Sequence, residues 1–190
     1  MQESKFVFLD RDGVISVEKE HLHKKSDMEI IPRSAEAIKI LNDNGYKVIV
    51  ITNQPVIARG LCTLEELAEI HQYMKILLAK KGAKLDKIYF CPHHPKAGNN
   101  PKYTKDCECR KPKPGMILQV QKDFNINSLN ECFMIGDKMS DIYAGKYAGC
   151  KTILVKTGYG GKAGENLKDI EASFYASDLY SAITNIISKK

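Results

Sequence analysis

The run Lys5-Phe6-Val7-Phe8-Leu9-Asp10-Arg11-Asp12-Gly13-Val14 governs how the rest of the chain is read. Lys5–Leu9 is an unbroken apolar strand, the pattern of a strand buried on both faces. It gives way at once to two acids and a glycine, at the carboxyl end of the strand, where open α/β sheets bind their ligands. Asp10 and Asp12 are two residues apart, so an extended backbone points both to one side. Carboxylates held that close repel unless a divalent cation or a proton sits between them. Gly13 lets the chain turn sharply away.

The same alternation recurs downstream. Lys47–Ile51, Lys87–Phe90, Cys132–Ile135 and Thr152–Val155 read as further strands, with a short one at Ser173–Tyr175. Helical patterns occupy residues 33–44, 64–80, 115–123 and 140–148, and Asp178 starts a terminal helix. Asn44-Gly45 and Gly82 are stop signals. Thr63 with Glu66 three places on is a capping box. Apolar strands alternating with helices predict an α/β fold, a three-layer Rossmann-like doubly wound parallel sheet.

At 190 residues, 43% hydrophobic and 27% charged, the chain is expected to be one globular domain over residues 1–190, not a disordered chain. No apolar run reaches the roughly 18–20 residues of a membrane span. Residues 1–6 lack the regions of a signal peptide, so a cytoplasmic protein is expected. The net charge of +6 solubilises the surface or attracts an anionic partner. Trp is absent and no basic stripe interleaves with aromatics, which argues against nucleic acid.

Two more strand ends carry polar residues. The second runs into Thr52-Asn53-Gln54, and the fourth into Gly136-Asp137-Lys138-Met139-Ser140-Asp141. Three strand ends thus present acid, hydroxyl and acid to one crevice. These residues resemble the haloacid dehalogenase-like (HAD) phosphatase superfamily. Its pattern is Asp-x-Asp-x-(Thr/Val), then Thr or Ser, then Lys, then Gly-Asp-x-x-x-Asp, here Asp10–Val14, Thr52, Lys111 and Gly136–Asp141. The resemblance implies that Asp10 attacks phosphorus and that Asp12 is the general acid and base. It implies Mg²⁺ held by the Asp10 carboxylate, the Asp12 backbone carbonyl and Asp137, with Thr52, the Asn53 amide and Lys111 stabilising the phosphoryl charge. Asp141 would act from behind these groups.

Residues 91–111 break the rhythm with a loop rich in Pro, Gly and Asn that something must hold. Cys91-x-His93 and Cys107-x-Cys109, 13 residues apart, offer four ligands suited to a closed structural Zn²⁺ site. His94 competes with His93; Pro92, Pro95 and backbone alternation favour His93. Such a metal would staple the loop and fix Arg110 and Lys111 beside it, with both cations facing a loop. Cys62, Cys132 and Cys150 stand alone and read as core residues.

Only about twenty residues separate Asp12 from the first helix, too few for a cap domain. An open, capless site is expected, shaped by residues 14–32, 54–62 and 91–111. A narrower set of motifs is similar to the D-glycero-D-manno-heptose 1,7-bisphosphate 7-phosphatase family. It adds Ile57-Ala58-Arg59-Gly60, Cys91-Pro92-His93-His94-Pro95 and Cys109-Arg110-Lys111-Pro112 to the motifs above. That resemblance implies removal of the C7 phosphate of a sugar bisphosphate in nucleotide-activated heptose synthesis. A capless fold with no long exposed apolar face is expected to be a monomer, and composition and patterning predict that it binds neither nucleic acid nor membrane. The resemblance also implies substrate contacts from Glu18–His21, Gln54, Arg110, Lys111 and Lys138. Pro55-Val56 and the charged run Val17–His23 depart from the family pattern beside the substrate. Histidinol-phosphate phosphatase, which shares this loop, and a zinc-containing nucleic-acid-binding module are the competing expectations.

Overall fold

A computed structural model describes residues 5–161 and 170–188. Strands β1 (Lys5–Leu9), β2 (Tyr46–Asn53), β3 (Lys87–Cys91), β4 (Phe133–Gly136), β5 (Lys151–Val155) and β6 (Phe174–Ala176) form one sheet. Every pairing is parallel, and the order is β3-β2-β1-β4-β5-β6. Parallel neighbours need crossovers, supplied here by α1 (Ser34–Asp43), α2 (Leu64–Ala79), α3 (Gly115–Asp123) and α4 (Met139–Ala148), with α5 (Leu179–Ser188) closing the chain.

Strand alternation sends residues to two cores. Val7, Leu9, Val48 and Val50 pack with Ile38 and Leu41 of α1, Ile70 and Met74 of α2, and Ile183 of α5. Phe6, Phe8, Ile49 and Ile51 pack on the opposite face with Ile117 and Val120 of α3 and Ala144 of α4. This is the predicted three-layer arrangement, with β1 buried on both faces. Cys132 and Cys150 sit in the second core, and Cys62 in a smaller cluster under the β2–α2 loop.

Local chemistry sets the element ends. Thr63 Oγ1 accepts from Glu66 N at 3.1 Å while Glu66 Oε2 accepts from Thr63 N at 2.7 Å, the predicted capping box. Asp178 Oδ1 accepts from Ser181 N at 2.7 Å and opens α5. Two strand boundaries differ from expectation in ways that matter. β3 extends to Cys91, which pairs with Asn53 of β2, so the first cysteine of the loop is a strand residue. β4 ends at Gly136, so Asp137 is the first residue beyond the sheet.

Between β1 and α1 the chain makes only a short 3₁₀ turn (Lys25–Asp27) and the bridges Asp12↔Ser16 and Ser16↔Ile30. Among the described residues, no folded unit stands over the carboxyl ends of β1, β2 and β4. Strand order reverses between β1 and β4, and the crevice at that switch point holds the polar strand ends.

Candidate active site

A crevice of about 480 Å³ lies over the switch point, with Asp10, Thr52 and Lys111 among its lining residues. Asp10 follows β1 directly and is 5% exposed. Its Oδ1 accepts from Arg11 N at 2.7 Å and pairs with Lys111 Nζ at 3.0 Å. Lys111 Nζ also reaches Asp141 Oδ1 at 2.6 Å and donates to Ile51 O at 2.7 Å. Burial opposes the charge on Lys111, but Asp10 and Asp141 outweigh it and hold the ammonium above its ordinary range. The expectation that Lys111 faces a loop with Arg110 is corrected here: the side chain turns under the sheet edge, because two buried acids need its charge.

Ligand oxygens of Asp10, Asp137 and Asp141 lie within 4.8 Å of one another, and all three residues are buried. Burial first, then Asp10 and Asp141, push Asp137 up to about 8. Burial likewise lifts Asp141 to about 6, against the pull of Lys111. Asp137 Oδ2 accepts from Tyr159 N at 2.8 Å, whereas its buried Oδ1 has no hydrogen-bond partner among the described residues. A Cβ added to Gly13, at φ +79°, would stand 2.3 Å from Asp137 Oδ2, and one at Gly158 would meet the same oxygen. Bare backbone therefore brings Asp137 against the Asp10–Gly13 turn. Crowded acids with an orphaned oxygen are the donor set of a hard divalent cation, and Mg²⁺ fits it.

Asp12 behaves differently from the expectation drawn from its spacing. Its carboxylate is not in the acid cluster. Arg11 Nε and Nη2 grip it at 2.9 and 2.7 Å, Gln54 Nε2 donates to it at 3.0 Å and Ser16 Oγ at 3.1 Å. Burial would raise its pKa, but the adjacent guanidinium, with the hydrogen bonds from Gln54 and Ser16, holds it below the usual carboxylate range. Arg11, rather than a shared cation, answers its charge. Arg11 is fully buried, and its site role was not anticipated from sequence.

Thr52, 1% exposed at the end of β2, accepts from Gln54 Nε2 at 2.9 Å and keeps its own proton to donate. The Asn53 side-chain amide is spent elsewhere. Nδ2 donates to Lys111 O at 3.0 Å, and Oδ1 accepts from Lys111 N at 3.0 Å. It fixes the backbone of Lys111, and Asn53 itself lines the crevice.

The thiol cluster adjoins this floor. Sγ atoms of Cys91, Cys107 and Cys109 are 3.2–3.5 Å apart, and His93 Nδ1 is 3.4 Å from Cys109 Sγ. These separations exceed a disulfide bond and are slightly inside the roughly 3.8 Å edge of a tetrahedron with Zn–S bonds of about 2.3 Å. Hydrogen bonds from Cys91 and His93 bring Cys109 down to about 5, while Cys91 is raised by its bond to Cys109 and by burial. Three packed thiols cannot all ionise without a cation, so the set fits Zn²⁺. His94 turns away, its Nδ1 accepting from Ala97 N at 2.8 Å. The cluster is coupled to the crevice: Cys91 O accepts from Gln54 N at 2.7 Å, and His93 O accepts from Arg110 Nη1 at 3.0 Å.

The crevice walls bring together Glu18, Glu20, His21, Gln54, Arg110 and Lys138. Lys138 Nζ pairs with Glu18 at 3.0 Å and stands 4.3 Å from the centre of the Tyr159 ring. Burial disfavours its charge, but Asp10, Glu18 and Asp137 raise its pKa.

The chain has relatives among characterised proteins and solved structures. A D-glycero-beta-D-manno-heptose-1,7-bisphosphate 7-phosphatase from Pasteurella multocida is 44% identical over 155 residues, 81% of this chain and 83% of its own. The corresponding alpha enzyme from Photorhabdus laumondii is 43% identical over 82% of this chain and 84% of its own. A D-glycero-D-manno-heptose-1,7-bisphosphate 7-phosphatase from Chlorobaculum tepidum is 35% identical over 98% of this chain and 96% of its own. The chain belongs to the heptose-1,7-bisphosphate 7-phosphatase family. A heptose bisphosphate phosphatase from B. bronchiseptica, crystallised with magnesium and phosphate, matches with a TM-score of 0.88 at 31% identity, over 98% of this chain and 99% of its own. Residues 108–182 match the HAD-hydrolase-like family model. As a heptose bisphosphatase relative, the chain adds one wall that sequence reasoning missed. Tyr159 lines the crevice, and the segment bearing it closes on Asp137 through Tyr159 N and through Gly161 N, 2.7 Å from Asp137 O. The glycine-rich run Thr157-Gly158-Tyr159-Gly160-Gly161 was its available signal.

Proposed function

We propose that this chain hydrolyses the C7 phosphate of D-glycero-D-manno-heptose 1,7-bisphosphate, releasing heptose 1-phosphate for nucleotide-activated heptose synthesis. One observation carries the proposal. Asp10 lies on the floor of an open crevice with a buried lysine and two buried acids beside it, and Arg110 and Lys138 line the same space.

Asp10 is the nucleophile. Arg11 N and Lys111 Nζ both engage its Oδ1, which leaves Oδ2 to attack phosphorus. As that bond forms, the C7 oxygen leaves and takes a proton from Asp12. Asp12 then removes a proton from the water that attacks the aspartyl phosphate, and phosphate departs with Asp10 restored. Its four-donor clamp keeps Asp12 anionic in the open site, the state required for the second step; the proton given in the first step comes with the substrate, whose phosphate monoanion passes it to Asp12 on binding. Lys111 and the Thr52 hydroxyl offset charge on the transferring phosphoryl. The Asp10 and Asp137 carboxylates with the Asp12 carbonyl would hold Mg²⁺, and Asp141 orders Lys111 behind them. Mg²⁺ bound there neutralises oxygen charge that would otherwise repel the nucleophile.

The second phosphate fits the rim. Arg110 is aimed by the zinc-loop carbonyl of His93, and Lys138 exchanges Glu18 for a phosphate oxygen. Glu18 and His21 then face the sugar hydroxyls. Cys91, His93, Cys107 and Cys109 hold a structural Zn²⁺. The chain acts as one domain over residues 1–190, as a cytoplasmic monomer independent of nucleic acid and membrane. No described helix is long and apolar enough to cross a membrane.

Side-by-side kcat/KM values for both heptose bisphosphate anomers and histidinol phosphate test this. Preference for a heptose bisphosphate by about 100-fold or more is expected, the scale of about 3 kcal/mol in transition-state binding. Equal or better turnover of histidinol phosphate would overturn it.

A further inference from the structure

We infer that His71 of α2 is a positioning residue for proton transfer, acting through Arg11: its ring fixes the guanidinium whose other edge grips Asp12. The inference rests on the phosphatase reading above and deepens it.

Arg11 is among the largest fully buried side chains of the protein. A buried guanidinium carries five N–H donors and no acceptor, and each donor left unpaired is costly. Asp12 satisfies Nε and Nη2. Nη1 stands 3.3 Å from His71 Nε2. Because the guanidinium can only donate, Nε2 must present its lone pair, which puts the ring proton on Nδ1. Burial, reinforced by the Arg11 charge, takes His71 down to about 3, so the ring stays a neutral acceptor at any working pH.

The ring is itself held firmly. His71 is 7% exposed and sits edge-on to Phe90 of β3, with centroids 5.7 Å apart. A continuous line therefore runs from α2 through His71 and Arg11 to Asp12 at the crevice. Without the acceptor, Nη1 becomes an orphaned buried donor. The guanidinium must turn to find another partner, and the fork on Asp12 opens. Ser16 and Gln54 still hold Asp12 on its remaining sides, so the loss is partial.

kcat/KM isolates the first half-reaction, in which Asp12 gives a proton to the leaving oxygen; the later base step on the aspartyl phosphate is common to all esters and does not enter it. A sugar alkoxide needs that proton. The phenolate leaving from an aryl phosphate with an acidic phenol does not. This separates proton positioning from a general structural role.

The experiment compares kcat/KM on heptose bisphosphate and on 4-nitrophenyl phosphate for the full-length Mg²⁺- and Zn²⁺-loaded protein, wild type and variants. His71→Phe keeps a ring against Phe90 and removes the acceptor. His71→Gln puts an amide oxygen near the place of Nε2. His71→Asn, one bond too short, serves as the second loss variant if the phenylalanine fails to fold. His71→Phe or His71→Asn is expected to lose about tenfold on the sugar ester and less than about twofold on the aryl ester, part of the range that general acid catalysis supplies. His71→Gln is expected to recover the sugar ester to within about threefold of wild type. Parallel loss on both esters, no loss on the sugar ester, or failure of glutamine to rescue overturns the role of His71. Absence of wild-type turnover on both esters overturns the phosphatase reading itself, a separate and recognisable failure.

Discussion

Among the described residues are two clusters of side chains that could hold a metal, built on opposite principles. The acid cluster of Asp10, Asp137 and Asp141 sits on the ends of β1 and β4 and in the first turn of α4, elements whose apolar residues pack into the two cores. Packing brings these carboxylates together against their mutual repulsion, so a cation relieves a cost already incurred. The thiol cluster joins one strand residue, Cys91, to Cys107 and Cys109 at the far end of a loop with little core of its own. There the cation supplies the attraction that closes the loop. Charge in the first cluster therefore governs chemistry, and ligation in the second governs stability.

Asp10→Asn is expected to produce the largest effect. It removes the proposed nucleophile and one of the repelling charges, so turnover should fall by about 1,000-fold or more while Tm stays level or rises. Steady-state kinetics beside thermal melting check both halves; a variant that loses activity only because it unfolds would erase the contrast.

Removal of Zn²⁺, or Cys109→Ser, should invert the pattern. Loss of a structural metal costs about 4 kcal/mol or more, about 10 °C in Tm for a chain of this size. Activity should fall secondarily, because Arg110 and the Gln54 backbone hang on the same loop. Unchanged melting after verified metal loss would contradict the division of labour.

A smaller effect should appear without Mg²⁺. Asp137 is raised to about 8 and Asp141 to about 6 in the folded protein, above the usual carboxylate range. The folded state then binds protons that the unfolded chain releases. This stability is complete below the unfolded pKa and is lost as pH rises through the folded values. In Mg²⁺-free buffer Tm should decline from about pH 5 to about pH 9, and added Mg²⁺ should flatten the decline. A Tm independent of pH across that window would show that the acids do not share one buried charge.

The contrast also explains what was legible in the sequence. Apolar runs such as Phe6–Leu9 and Val48–Ile51 announce buried parallel strands, and polar residues at their ends announce a site, because both follow from local pattern. Thr63 and Glu66 announce a helix start for the same reason. The partner of Asp12 was not legible. An arginine between two aspartates reads as surface charge until the fold places His71, sixty residues away, behind it. The side-chain amide of Asn53 is a related case: it is consumed by the Lys111 backbone, a contact that depends on how the thiol loop returns to the sheet. The wall formed by Tyr159 follows from the close packing of Gly158 on Gly13, which only the three-dimensional arrangement supplies.

Rapid acid quench of the Mg²⁺-loaded enzyme during turnover, followed by peptide mass analysis, asks which oxygen takes the phosphoryl group. One phosphoryl adduct on the peptide carrying Asp10, absent from Asp10→Asn, is expected. An adduct on Asp137 or another residue, or undiminished turnover by Asp10→Asn, would contradict it.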